Sequence, residues 1–222
     1  MITKYGYITA GIFVSIALIV FIFSQFIGNN YIKITLSVLS VLLFLFTLYF
    51  FRDPDRNTPN LDNVVISPAD GKVLIVKKVE SNDFVKGEAW QVSIFMSPFN
   101  VHVNRIPING IVKLVRYVKG NFLVAFHDKA DERNERSEFG IESKYGNVFF
   151  TQVAGFVARR IVYDIQQGDT VEMGKRFGMI KFGSRVDIVV STDWDLKVKD
   201  NDVVTAGESI IFEFNKNESK NQ

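Results

Sequence analysis

Hydrophobic residues are distributed along this chain in two ways. From Tyr5 to Phe26, and again from Ile34 to Phe51, they run almost without interruption. A helix needs about 20 apolar residues, rising about 1.5 Å each, to cross a bilayer. Gly28-Asn29-Asn30 between the runs is a turn signal. The pattern predicts an N-terminal hairpin of two membrane helices over residues 1–51, with both ends on one side. Arg52 and Arg56 follow the second run, Lys4 precedes the first, and Lys33 alone lies in the loop. The positive-inside bias then places the rest of the chain in the cytoplasm. A cleaved signal peptide fits less well, because the basic n-region is weak and a second apolar run follows at once.

After the second run the pattern changes. Residues 52–63 are polar, contain Pro54 and Pro59, and read as a linker. From Val64 to the end, residues 64–222, short β-like stretches alternate with Gly, Pro, Asn and Asp. Strands are expected at Val73–Val76, Gln91–Phe95, Gly110–Val115, Val148–Val153 and Val186–Val190. Asp128–Ser137 is densely charged and reads as an exposed loop, and Val157–Ile165 fits either a short helix or a strand. A weak repeat follows: Gly168-Asp169-Thr170-Val171 with Gly174, and Asn201-Asp202-Val203-Val204 with Gly207. Such units occur in flattened β-sandwiches of the lipoyl or biotinyl type, where glycine serves turns that need φ > 0. The expectation is a mainly β, compact sandwich- or barrel-like soluble domain behind a two-helix membrane hairpin.

Composition narrows the chemistry. Lys4 and Lys33 are the only charges in residues 1–51, which leaves 24 basic and 24 acidic residues beyond them. That balance gives no basic stripe for a nucleic acid. With no cysteine, disulfides, thiolate nucleophiles and cysteine-ligated metals are excluded. Two histidines, with no His/Glu pair at helical spacing, argue against a catalytic zinc.

His102 lies between Pro98 and Pro107 in an extended stretch. Alternation puts Asn100, His102 and Asn104 on one face and Val101 and Val103 on the other. A histidine in polar company suits acid–base work near neutral pH. His127 precedes the charged stretch and reads as solvated. Asp70, in Ser67-Pro68-Ala69-Asp70-Gly71, is first of all a turn residue, although a turn can present its carboxylate to a histidine. Ser184, in Phe182-Gly183-Ser184-Arg185, would by itself be a turn serine; it lacks the second glycine of a nucleophile elbow.

Taken together and in order, four segments resemble the short, membrane-associated phosphatidylserine decarboxylases. They are Phe50-Phe51-Arg52-Asp53-Pro54, Ser67-Pro68-Ala69-Asp70-Gly71, Ser97 through Arg105, and Arg176 through Asp187. Asn134-Glu135-Arg136 and Ala158-Arg159-Arg160-Ile161 match in order as well. The resemblance implies a proenzyme that cuts itself between Gly183 and Ser184 into a large β subunit (1–183) and a small α subunit (184–222), which stay together as a heterodimer. It implies that Ser184 becomes a pyruvoyl group, a self-made cofactor needing no metal and no pyridoxal phosphate. The amine of phosphatidylserine in the bilayer would condense with that ketone, lose CO2 and leave as phosphatidylethanolamine. His102 would be the acid/base beside the pyruvoyl, and Asp70 would orient or activate it for self-cleavage. Longer relatives have a second histidine where this chain has Arg105. The base for self-cleavage is therefore open between His102 and Asp70, and Arg105 becomes a candidate for lipid phosphate or the substrate carboxylate. The competing expectation is a non-enzymatic, membrane-anchored lipoyl-like adaptor, which the tandem repeat supports. A metallopeptidase on a similar scaffold would need more histidines.

Overall fold

The computed structural model describes residues 1–80, 83–120, 134–155, 160–181 and 184–215. His127, Gly183, Ala158 and Arg159 lie outside them. The chain divides into two units, Met1–Pro54 and Asp55–Gln222.

The first unit is a helical hairpin. Helices α1 (Tyr7–Gln25) and α2 (Asn30–Phe50) are both long and apolar enough to cross a bilayer. Asn29 caps α2, its Oδ1 accepting from the N–H groups of Tyr31 and Ile32. Small residues seven apart, Ala10, Ala17 and Ser24, are buried along α1, and Ser40 and Thr47 along α2. Small side chains let helix backbones approach closely where lipid offers no hydrophobic drive. A hydroxyl contact of 2.8 Å between Ser24 and Ser37 joins the two helices.

The second unit is built from fourteen strands among the described residues. In chain order they are β1 (Val64–Ile66), β2 (Gly71–Val79), β3 (Ala89–Met96), β4 (Val103–Arg105), β5 (Gly110–Val118), β6 (Arg136–Ser143) and β7 (Gly146–Ala154). There follow β8 (Arg160–Tyr163), β9 (Thr170–Val171), β10 (Arg176–Lys181), β11 (Ser184–Ser191), β12 (Trp194–Leu196), β13 (Val203–Val204) and β14 (Ile210–Phe214). The five expected strands fall within β2, β3, β5, β7 and β11. The loop expected up to Ser137 ends sooner, because β6 begins at Arg136 and pairs with β7. Of the Val157–Ile165 stretch, Arg160–Tyr163 is strand.

An eight-stranded sheet runs β13-β2-β3-β11-β7-β6-β5-β9, and two three-stranded sheets run β1-β14-β12 and β4-β10-β8. The main core draws on all three sheets. In it Phe139 of β6 meets Phe150, Phe177 and Tyr163 with ring centroids 5.1, 5.4 and 5.0 Å away. Fully burying such a ring is worth about 1.5–3 kcal/mol.

The order hides an internal two-fold. Strands β4 to β10 form one half, contiguous from Val103 to Lys181. Strands β1 to β3 and β11 to β14 form the other, and the halves meet at the β11–β7 pair. Their connecting hydrogen bonds come in matched pairs. Ile66 N–H donates to Pro107 O at 2.9 Å, and Arg105 N–H to Pro68 O at 3.0 Å. Val73 N–H donates to Asp202 O and Val112 N–H to Asp169 O, both at 2.9 Å. Gly174 and Gly207 occupy equivalent turns with φ of 82° and 81°, which a side chain would strain. The repeat visible in the sequence is thus the signature of the two sheet edges, β9 and β13.

The contiguous half is inserted into the split half. In the contiguous half, β6 and β7 are joined by a tight hairpin whose last pair is Ser143 with Gly146. The equivalent pair in the split half is Met96 with Ser184. The hairpin there is opened, and residues 97–183 carry the other half. Ser184 therefore occupies the position of a hairpin-turn glycine.

Candidate active site

The opened hairpin gathers the motif segments. Ser184 begins β11, wholly buried, opposite Met96 on one side and Ala154 on the other. Its hydroxyl donates to Met96 Sδ at 3.3 Å. Asn104, on β4, reaches the same sulfur at 3.8 Å through Nδ2, which also donates to Pro68 O at 3.2 Å. Gln152, on β7, donates from Nε2 to Asn104 Oδ1 at 2.8 Å. Asn134 Nδ2 holds Ala154 O at 2.8 Å, fixing the strand beside Ser184. Three buried polar side chains, Asn104, Gln152 and Asn134, thus fix the strands around the Met96–Ser184 rung.

His102 is fully buried. Its Nδ1 lies 3.0 Å from Asn100 O. A carbonyl can only accept, so Nδ1 carries a proton, and in the neutral form of the ring the lone pair is on Nε2. The His102 carbonyl receives Ile180 N–H at 3.4 Å, four residues ahead of Ser184. Asn104 and Ser184 thus share Met96 Sδ, and His102 lies in the segment between β3 and β4. The turn Ser97–Asn100 is held by Asn100 Oδ1, which accepts from Ser97 N–H and Oγ, both at 2.8 Å.

Asp70 lies in the turn before β2, but its carboxylate faces elsewhere. Arg56 Nη2 donates to both its oxygens, at 3.0 and 2.8 Å, and Ala206 N–H to Oδ1 at 2.8 Å. It makes no hydrogen bond to His102. Asp70 reaches the serine through its turn, whose Pro68 O holds both Asn104 Nδ2 and Arg105 N–H. Arg105 is buried, its Nη1 donating to Gly174 O at 2.9 Å and its stem so close to Gly207 that a Cβ there would lie 2.6 Å from Arg105 Cδ.

The motif around Ser184 works on both faces of β11. Arg185 and Asp187 point to the opposite side and form a buried pair at 2.6 Å, with Arg185 Nη2 also donating to Ser93 Oγ at 2.8 Å. Sequence reading missed Gln152, Met96 and this pair. A glutamine in register with the core residues Val148 and Phe150 was the available signal for the first.

Lys181, the last residue of β10, is buried, and its ammonium pKa is pushed below the usual lysine range, first by that burial and then by the charge of Arg160.

The family model described as phosphatidylserine decarboxylase matches residues 43–212. A phosphatidylserine decarboxylase proenzyme of Chlorobium limicola is 49% identical over 214 residues, spanning 96% of this chain and 100% of the relative. Proenzymes of the same name from Chlorobaculum tepidum and Salinibacter ruber are 52% and 47% identical, over 75% of this chain and 77% and 74% of their own. Both the extent of these matches and the segments converging on Ser184 lead to one conclusion: the chain belongs to the phosphatidylserine decarboxylase family.

Proposed function

We propose that this protein decarboxylates phosphatidylserine to phosphatidylethanolamine, using a pyruvoyl group made from Ser184 by self-cleavage. The observation that carries the reading is the place of Ser184: a buried serine at an opened hairpin end, with His102 in the segment between β3 and β4.

The cleavage balances as follows. Ser184 Oγ attacks the carbonyl carbon of Gly183 and its proton passes to a base; the C–N bond breaks, leaving an ester and a free amine on Ser184. Loss of the Cα proton and of the Cβ–O bond releases the Gly183 carboxylate and leaves dehydroalanine. Water then replaces its nitrogen, released as ammonia, to give the ketone. His102 Nε2 has the lone pair this needs. Both oxygens of Asp70 are engaged by Arg56 and one also by Ala206 N–H, and we assign it to positioning the Pro68 turn against Asn104.

The site suits a pyruvoyl. Gln152 Oε1 is buried and has no hydrogen-bond partner among the described residues, so it can accept from a substrate amine. The pyruvoyl supplies an electron sink for the carbanion left by CO2. His102 then donates the proton that replaces the carboxylate. The fragment beginning at Ser184 would stay in place after the cut, because β11 is paired with both β3 and β7 at the middle of the large sheet. A large subunit 1–183 and a small subunit 184–222 would form one heterodimeric domain. The α1–α2 hairpin would tether it to the cell membrane, and the basic residues flanking the hairpin favour a cytoplasmic face.

Intact-mass measurement on the purified protein is the test. Two fragments are expected, the smaller with a blocked N-terminus that reacts with phenylhydrazine. A single uncut chain that nonetheless decarboxylates phosphatidylserine refutes the mechanism.

A further inference from the structure

Ser137 and Gln152 are directly opposed on β6 and β7, and both are wholly buried. Neither Ser137 Oγ nor Gln152 Oε1 has a hydrogen-bond partner among the described residues. Buried polar atoms are nearly always bonded, so two orphans on opposed residues of one strand pair call for an occupant. The orientation of the Gln152 amide is fixed by its neighbours. Pro68 O can only accept, so the NH2 of Asn104 faces it and Asn104 Oδ1 faces Gln152. Gln152 Nε2 must then be the donor, and Oε1 is the atom left over.

The other half of the domain shows what the fold needs at these positions. Counting six residues from Met96–Ser184 and from Ser143–Gly146 along unbulged registers, Ser137 and Gln152 correspond to Trp90 and Val190. Asn104 and Gly178, paired on β4 and β10, correspond to Val65 and Phe212 on β1 and β14, with the same irregularity one step on. Val65, Val190 and Phe212 are core residues, and Trp90 packs against them. The split half thus fills these four places with apolar side chains, two of them large rings. The contiguous half has a hydroxyl, two amides and a glycine instead. The glycine makes room for the Gln152 amide, since a Cβ at Gly178 would lie 3.1 Å from Nε2.

The polar group lies beside the cut. Val186, opposite Gln152 on β11, is two residues from Ser184 and shares its face. Diagonal neighbours of this kind are about 7–8 Å apart, within reach of a long side chain. The occupant must donate to Gln152 Oε1 and can accept from Ser137 Oγ. An anion is repelled by the first of these, whereas a water molecule satisfies both.

We propose that Ser137 and Gln152 are positioning residues for a buried water that completes self-processing at position 184. This rests on the pyruvoyl reading above and adds to it the source of the ketone oxygen. An N–H proton of the dehydroalanine moves to its methylene carbon, leaving a methyl group and a C=N bond. The water oxygen adds to that carbon and the C–N bond breaks. Both water hydrogens leave with the nitrogen as ammonia, and the oxygen stays as the ketone. Gln152 Oε1 holds the water before any substrate arrives, and is free for the substrate amine afterwards.

The test follows the full-length chain, translated in vitro in neutral detergent micelles and sampled over time. Fragments are counted on denaturing gels. Samples quenched with borohydride are then read by mass at the new N-terminus, where a ketone gives a lactyl group and a C=N bond an alanyl group. Wild type that stays uncut, or that cuts and never gives the lactyl end, sinks the pyruvoyl reading itself; wild type that gives it leaves only the water site in question. Ser137→Ala is expected to cut at the wild-type rate, to accumulate the alanyl end, and to form the ketone about tenfold more slowly, the loss of one hydrogen bond to the attacking water. Its thermal midpoint should not fall, because Oγ bonds no protein group. Gln152→Met should show the same lag with a lowered midpoint, since Asn104 Oδ1 loses its donor; if it does not fold, Ser137→Ala decides alone. Ketone formation in step with wild type in Ser137→Ala overturns the water site. Equal slowing of the cut itself, or a lowered midpoint in Ser137→Ala, also overturns it, since the hydroxyl would then be a structural contact.

Discussion

Ser184 donates its hydroxyl to Met96 Sδ at 3.3 Å across the last rung of the β3–β11 pair. In the other half of the fold the same rung is Ser143 with Gly146, closed by an ordinary turn. A thioether accepts weakly and takes up no proton, so this contact orients the serine without activating it. Met96→Leu, close in volume, is expected to fold and to cleave within about tenfold of the wild-type rate, since such swaps cost under about 1.5 kcal/mol. Ser184→Ala should give one uncut chain with no activity. A time course of fragment appearance on denaturing gels separates the two; fragments from Ser184→Ala would place the scission elsewhere.

His102 carries the proton traffic in this reading. His102→Gln can still accept or donate one hydrogen bond but cannot titrate. Any His102→Gln protein that has cut itself should release CO2 from phosphatidylserine at least about 100-fold more slowly, the usual contribution of a positioned acid or base. Wild-type turnover by such cut protein would remove His102 from the chemistry.

Asp70 and Arg56 form a two-pronged pair whose side chains are 14% and 13% exposed. Asp70→Asn and Arg56→Met should each lower the denaturation midpoint, and the double variant should be less destabilised than their sum, by about 1–3 kcal/mol in a double-mutant cycle. If Asp70 acts only by positioning its turn, both single variants slow self-cleavage alike. Slowing by Asp70→Asn alone would make the carboxylate a direct participant.

The internal two-fold makes a prediction far from the serine. A Cβ at Gly110 would fall 2.3 Å from Glu142 O, and one at Gly71, its equivalent, 2.1 Å from Phe95 O. Gly110→Ala must shift β5 against β6 and should cost about 2 kcal/mol or more in urea unfolding. Protein that remains folded should still cleave. Neutral behaviour would mean that the close strand approach is not needed.

Lys181 gives a pH dependence with a definite sign. Its folded-state pKa lies below the usual 10.5, chiefly through burial. The unfolded chain therefore binds more protons between the two values, and stability rises with pH across that window. Below it the penalty of a charged, buried lysine is fully present. Lys181→Met should raise the melting temperature at pH 7, and the gain should shrink as pH approaches 10.5. Equal gains at both pH values would show that desolvation of the charge is not the cause.

Sequence pattern alone was enough for the two apolar helices and for five strands, because both follow from local periodicity. Uninterrupted apolar runs can only be satisfied in lipid or a core, and alternation fixes which residues of a strand share a face. It also held the glycine-bearing repeat at residues 168–174 and 201–207, since a positive φ leaves a mark on residue type. Strand β6 was hidden by its charged start, where Arg116 and Arg136 both pair with a buried Glu138 that looks, in one dimension, like loop. Only the tertiary structure decided that one half of the domain is inserted into a hairpin of the other, and that Ser184 takes the place of a turn residue. Contacts such as Met96 with Ser184, Gln152 with Asn104 and Arg56 with Asp70 join residues far apart in the chain. Chain closure on that scale is set by how whole sheets pack, and no local pattern of side chains encodes it.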